Sequence, residues 1–161
     1  MKEKKHLPYM GVGPIYGFVI ILCTVVGAKL SGIQVLQSGR IDVLKIPFWV
    51  IGIILIAIGI YFYGAALFQS KIDDGIKNNQ LVTSGVYGCV RNPIYSAFMM
   101  ACTGVLFIAN NLWLLILPLF YWAFMTILMK NTEEKWLADL YGEEYKEYCQ
   151  KVNRCIPWFN K

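Results

Sequence analysis

Apolar residues in this chain come in long unbroken blocks separated by shorter polar intervals, which predicts helices rather than strands. The first block runs from Pro14 to Leu30, with Lys29 near its far end, where a long side chain can reach the interface. The second, Pro47 to about Phe68, is rich in isoleucine and aromatic at both ends. Within it Gly52 and Gly59 lie seven apart on one helical face. They either admit a close neighbouring helix or are merely tolerated against lipid. A third block runs from Pro93 to about Ala109. Asn110-Asn111 then turns the chain into a fourth, Leu112 to about Lys130, where Pro118 suggests a kink. Each block reaches about the 17 residues that a membrane crossing needs. The expected fold is an all-α integral membrane protein with four transmembrane helices over 14–30, 47–68, 93–109 and 112–130.

The polar intervals differ in kind. Ser31 to Ile46 is a short connection carrying Arg40, Asp42 and Lys45, while 69–92 is a long polar loop. After the fourth block, Trp136, Leu137, Leu140, Tyr141, Tyr145, Tyr148 and Val152 recur at three- and four-residue steps among charges. This predicts a C-terminal amphipathic helix over 132–152. Asn131 with Glu134 three residues later fits a capping box at its start. Trp158 and Phe159 suit the bilayer interface.

Composition sharpens this picture. With 161 residues the chain has the length of one domain; 57% hydrophobic and 16% charged residues, the charges gathered into the polar intervals, exclude an ordinary soluble domain. Scattered lysines and a net charge of +5 speak against a nucleic-acid partner. The five cysteines form no CxxC pair and His6 is the single histidine, so neither a metal site nor Cys–His catalysis is expected. No small-residue cleavage site follows the first block, so no cleaved signal peptide is expected. Four spans put the N-terminus, the 69–92 loop and the tail on one side, together with most of the Lys and Arg residues. That side is expected to be the cytosol, the membrane being the cytoplasmic membrane of a prokaryote.

The candidate chemistry sits at the cytosolic ends of the blocks. In Leu81–Tyr95, LVTSGVYGCVRNPIY, a turn-forming segment leads into a helix start, with Pro93 in the first turn and Asn92 as a fair N-cap. Free N–H groups at such a start suit an anionic or polar ligand. The candidates are Arg91, Tyr87, Asn92, Tyr95, Lys130, Glu133 and Glu134. A carboxylate at a membrane boundary needs a partner. That partner is either Arg91, as a clasp between loop and tail, or the ammonium group of a ligand.

The fragments LVTSGVY, VRNPIY, TEE and LYGEEYKEYCQKVNRCIPWF, in this order, resemble the isoprenylcysteine carboxyl methyltransferase family and its phospholipid N-methyltransferase relatives. The resemblance covers about half the chain, from near Asn79 to Trp158. It implies methyl transfer from S-adenosylmethionine at the cytosolic membrane face to a lipid-borne or membrane-associated carboxylate, thiol or amine. It also implies cofactor contacts at Asn79, Gln80, Leu81, Val82, Tyr87, Asn92, Pro93, Ile94, Tyr95 and Glu133, with Glu133 receiving the cofactor's amino group. Arg91, Tyr95, Lys130 and Glu134 remain the candidates for a catalytic part. Two departures stand out: Asn92 replaces the family's usual histidine, which removes titration near neutral pH, and Met129 replaces an arginine expected on the substrate side. The competing readings are an NADPH-dependent membrane reductase of the sterol-reductase type and a non-catalytic membrane scaffold.

Overall fold

The computed structural model describes residues 11–68 and 80–157, and every regular element among them is helical. The α-helices are α1 (Gly13–Leu30), α2 (Lys45–Phe68), α3 (Pro93–Ile108), α4 (Leu117–Asn131), α5 (Glu133–Tyr141) and α6 (Glu143–Lys151). Single 3-10 turns lie at Gln37–Gly39, Asp42–Leu44, Gly85–Gly88 and Leu112–Ile116. Three stretches are long and apolar enough to cross a membrane: Gly13–Leu30, Asp42–Phe68 and Leu112–Tyr141. α3 is apolar but has only 16 residues.

The bundle is apolar on its outside. Phe18 is 70% exposed, Ile60 66% and Ile127 62%, which suits helices solvated by lipid rather than water. Inside, Tyr16, Ile20, Cys102, Leu106, Tyr121, Met125 and Met129 form the main core between α1, α3 and α4. Its polar groups are satisfied locally: Thr24 Oγ1 donates to the Ile20 carbonyl at 2.7 Å and lies 2.8 Å from the Tyr121 hydroxyl. α2 and α3 share the most extensive helix contact. A Cβ on Gly52 would lie 2.6 Å from the Gly104 carbonyl oxygen, one on Gly104 would lie 2.5 Å from that of Gly52, and one on Gly59 would lie 2.8 Å from that of Ala97. The two backbones therefore touch, and Gly52 and Gly59 serve close approach rather than lipid contact.

Three expectations need correction. Pro118 does not kink a helix: the residues before it form a 3-10 turn, and it stands in the first turn of α4, where its missing N–H costs nothing. The tail is two helices, because Gly142 takes φ +56° and stops α5. No capping box forms either. Thr132 is the N-cap of α5, while the Asn131 amide donates back to the Ile127 carbonyl at 2.8 Å.

At one end of the bundle the chain is closed by asparagines. The Asn111 amide donates to the Leu36 carbonyl at 2.8 Å and accepts the Trp113 N–H at 3.0 Å, and Asn110 donates to the Ile41 carbonyl at 3.2 Å. At the other end the starts of α1, α3 and α5 converge.

Candidate functional site

The convergence centres on two adjacent glutamates at the start of α5, which face different partners. Glu133 Oε1 accepts the Tyr95 hydroxyl at 2.5 Å and the Val12 backbone N–H at 2.9 Å. Tyr95 is in the first turn of α3 and Val12 is the N-cap of α1, so this one oxygen joins three helix starts. Tyr95 is buried, its ring edge-on to Tyr16 at 5.6 Å between centroids. Glu133 makes no ion pair among the described residues, and its Oε2 has no partner among them. Both donors are neutral, so no cation among the described residues offsets the carboxylate there.

Glu134 is ion-paired. Its carboxylate takes Arg154 in a two-pronged bond, Nε at 2.6 Å and Nη2 at 2.9 Å, and Arg91 Nη2 lies 3.4 Å away. The side chains are 15%, 20% and 8% exposed for Glu134, Arg154 and Arg91, which makes this a mostly buried cluster whose two guanidinium groups outnumber its one carboxylate. Arg91 also lies against Tyr145, 6.0 Å from the ring centroid, and Nη1 touches Cys149 Sγ. Its buried Nε has no partner among the described residues. Bonding to Glu134 raises the Arg154 pKa, and burial raises those of Tyr145 and Tyr148 above the ordinary phenol value.

The segment from Asn153 to Cys155 locks the loop in place. The N–H groups of Arg91 and Asn92 donate to the carbonyls of Asn153 (2.8 Å) and Arg154 (3.2 Å), the Asn92 amide donates to Arg154 (3.0 Å), and Ser96 donates to Cys155 (2.7 Å). The N–H groups of Arg91 and Asn92, just before α3, are thus taken by the tail, while no acceptor within the described residues takes those of Ile94 and Tyr95 in its first turn. Tyr148 donates to the Tyr87 carbonyl at 2.5 Å, and Leu81 packs on the Tyr145–Tyr148–Val152 cluster.

The expected site residues therefore divide. Tyr95 meets Glu133 and Arg91 meets Glu134, so the clasp between loop and tail exists but belongs to the second glutamate. Leu81, Val82, Tyr87, Pro93 and Ile94 lie on the loop and helix start beside them, and Val82, Tyr87 and Ile94 pack with Ala65 and Ala66 of α2. Gln80 and Lys130 are exposed; Asn79, Trp158 and Phe159 lie outside the described residues. Met129, in place of the expected arginine, is fully buried in the core. Sequence reasoning missed Arg154, although it stands in the quoted tail motif, and Val12, whose contribution is a backbone N–H that no side-chain pattern reveals.

One turn below Tyr95 an apolar groove of about 490 Å³ opens between α2, α3 and α4, lined by Leu55, Met99, Thr103, Leu119, Trp122 and Ile156 among others. No group of three or more His, Cys, Asp or Glu side chains suited to a metal occurs among the described residues.

Comparison with known proteins supplies the family. The profile of the family described as phospholipid methyltransferase matches residues 46–144. A protein-S-isoprenylcysteine O-methyltransferase of Schizosaccharomyces pombe is 34% identical over 82 residues, 50% of this chain and 34% of the relative. A probable protein-S-isoprenylcysteine O-methyltransferase of Oryza sativa subsp. indica is 35% identical over 81 residues, 50% of this chain and 42% of the relative. Methanethiol S-methyltransferase 1 of Bradyrhizobium diazoefficiens is 34% identical over 75 residues, 45% of this chain and 25% of the relative. The chain thus matches less than half the length of each of these curated relatives. No solved structure matches it at a significant level.

Proposed function

Since the chain belongs to the phospholipid methyltransferase family, we propose that it transfers a methyl group from S-adenosylmethionine to a lipid-borne or membrane-associated acceptor at the cytosolic membrane face. The observation that carries this reading is the charge arrangement around the two glutamates. Glu133 offers a carboxylate oxygen without a cation, and the adjacent cluster of Arg91, Arg154 and Glu134 holds one positive charge in excess together with the unpartnered Arg91 Nε. Opposite charges side by side are complementary to an amino-acid zwitterion, the form of the methionine portion of this cofactor at neutral pH.

Glu133 would hold the ammonium group, and the start of α3 from Asn92 to Tyr95 would lie beside the methionine chain. Gln80, Leu81, Val82 and Tyr87 would line the adenosine side, as would Asn79. The cofactor supplies an activated sulfonium methyl, so the protein needs to orient and exclude water more than to move protons. Arg91 and Glu134 then act by keeping loop and tail closed rather than at the reacting atoms. Lys130 is exposed and joins neither cluster, and this reading gives it no part in the chemistry.

The groove beside Met99 and Ile156 supports an acceptor carried on a hydrocarbon chain, which enters sideways from the bilayer. Four crossings, α3 being the inner one that α1, α2 and α4 surround, would put both glutamates on the side richest in Lys and Arg, hence the cytosol. The cytoplasmic membrane of a prokaryote fits that orientation. The carboxylates of isoprenylcysteine proteins and the thiol of methanethiol, named for the relatives, are both acceptor chemistries to test here. An NADPH reductase calls for several clustered cations to take its phosphate groups, whereas this cluster holds a single positive charge in excess, which matches one carboxylate.

The test is calorimetric titration of S-adenosylmethionine, and in parallel NADPH, into the protein in detergent with added lipid. Saturable micromolar binding of S-adenosylmethionine alone is expected. Binding of NADPH alone would establish the reductase, and binding of neither by the folded protein would favour the scaffold.

A further inference from the structure

Resting on that cofactor reading, we propose that the backbone of Gly11–Val12–Gly13 is a positioning element of the ammonium subsite, delivered to Glu133 by the first helix. Val12 N–H and the Tyr95 hydroxyl both bind Oε1, while Oε2 has no partner among the described residues. Two donors on one oxygen fix the rotation of the carboxylate and leave the other oxygen to the ligand. Both donors are neutral, so the site keeps a full negative charge for a cation; a lysine or arginine in the place of Val12 N–H would have neutralised it.

The strap is bare backbone where it must be. Gly11 has φ +51°, and a Cβ there would lie 2.0 Å from Glu133 Oε1. A Cβ on Gly13 would come within 3.2 Å of the Tyr95 hydroxyl. The Val12 side chain packs against the core cluster that includes Tyr95, which anchors the strap from below. All three residues fall outside the 46–144 stretch that the family profile matches, so the device belongs to this chain's own N-terminal part.

The variants V12P, which removes the N–H, and G11A, which drives a methyl group into Oε1, test the assignment. With the fold verified by circular dichroism and thermal unfolding, each is expected to raise the calorimetric Kd for S-adenosylmethionine roughly tenfold. Combining V12P with E133Q is expected to weaken binding no further than E133Q alone, because the strap acts only through Glu133. Unchanged affinity in V12P would overturn the proposal, and so would tighter binding, which would make the strap a competitor of the ligand. A second readout needs no cofactor: amide hydrogen exchange at Val12 should accelerate in Glu133→Ala, and unchanged exchange would overturn the contact itself. If the wild-type chain binds no S-adenosylmethionine while Val12 exchange still responds to Glu133, the contact stands. The cofactor reading falls in that case, and the ammonium assignment with it.

Discussion

Tyr95 and Glu133, 38 positions apart in sequence, share a hydrogen bond of 2.5 Å that ties the start of the third helix to the start of the fifth. Glu133→Gln keeps the shape and one acceptor oxygen but removes the charge. Its affinity for S-adenosylmethionine should fall by roughly ten- to a hundredfold, the range for losing a charge-assisted bond, with thermal stability nearly unchanged. Titration calorimetry beside a thermal melt separates the two effects, and wild-type affinity in the variant would exclude the ammonium contact.

Glu134 should behave in the opposite way. Glu134→Ala strands two largely buried guanidinium groups, so the unfolding free energy should drop by about 3 kcal/mol or more. Thermal unfolding in detergent measures it. Substituting Arg91 and Arg154 by Met in the same background should recover part of the loss, since it removes the stranded charges.

Alkaline pH should loosen the tail. Tyr145 and Tyr148 have folded pKa values above their ordinary 10, chiefly because burial disfavours the phenolate. A raised folded pKa means that the contribution is fully present below pH 10 and is lost as pH climbs from there through the folded value. Unfolding midpoints should therefore be flat in this respect from pH 7 to 9 and fall above pH 10. Tyr148→Phe should reduce that fall, while costing about 1 kcal/mol at neutral pH for the lost bond to the Tyr87 carbonyl.

Filling the groove should select among acceptors. Thr103→Trp puts an indole into the space beside Met99 and Leu119, and methyl transfer to long-chain acceptors should fall at least tenfold while cofactor affinity holds. Equal loss with short-chain acceptors would separate the groove from acceptor binding.

Much of this architecture was legible because lipid imposes a simple rule: a crossing segment must be long and apolar, and it must satisfy its own backbone. The four apolar blocks accordingly coincide with helices to within a few residues, apart from the first five residues of the last block, which form a 3-10 turn. The partner of each glutamate was not legible. Glu133 and Glu134 are neighbours with the same chemistry, and one peptide step around α5 turns one toward Tyr95 and the other toward the arginines. The tail break at Gly142 was equally hidden, because the apolar periodicity continues through it and only the backbone angle shows the stop. Asn92 was read as a cap with free donors around it. The carbonyls that take the Arg91 and Asn92 N–H groups and the Asn92 amide come from residues some sixty positions later, which local pattern reading does not reach.

The contact of Gly52 with Gly104 bears on how the bundle moves. At these glycines the two backbones meet directly, with the Ile56 and Ile108 side chains packed beside them, which leaves α2 and α3 little room to slide past one another. α4 meets α3 through far fewer neighbours and begins at the 3-10 turn Leu112–Ile116, a joint with poorer hydrogen-bond geometry than a full helix. The groove is therefore bounded on one side by the closely joined α2 and α3 and on the other by the more sparsely packed α4, whose far end Glu133 holds to Tyr95, so its width is set on the α4 side.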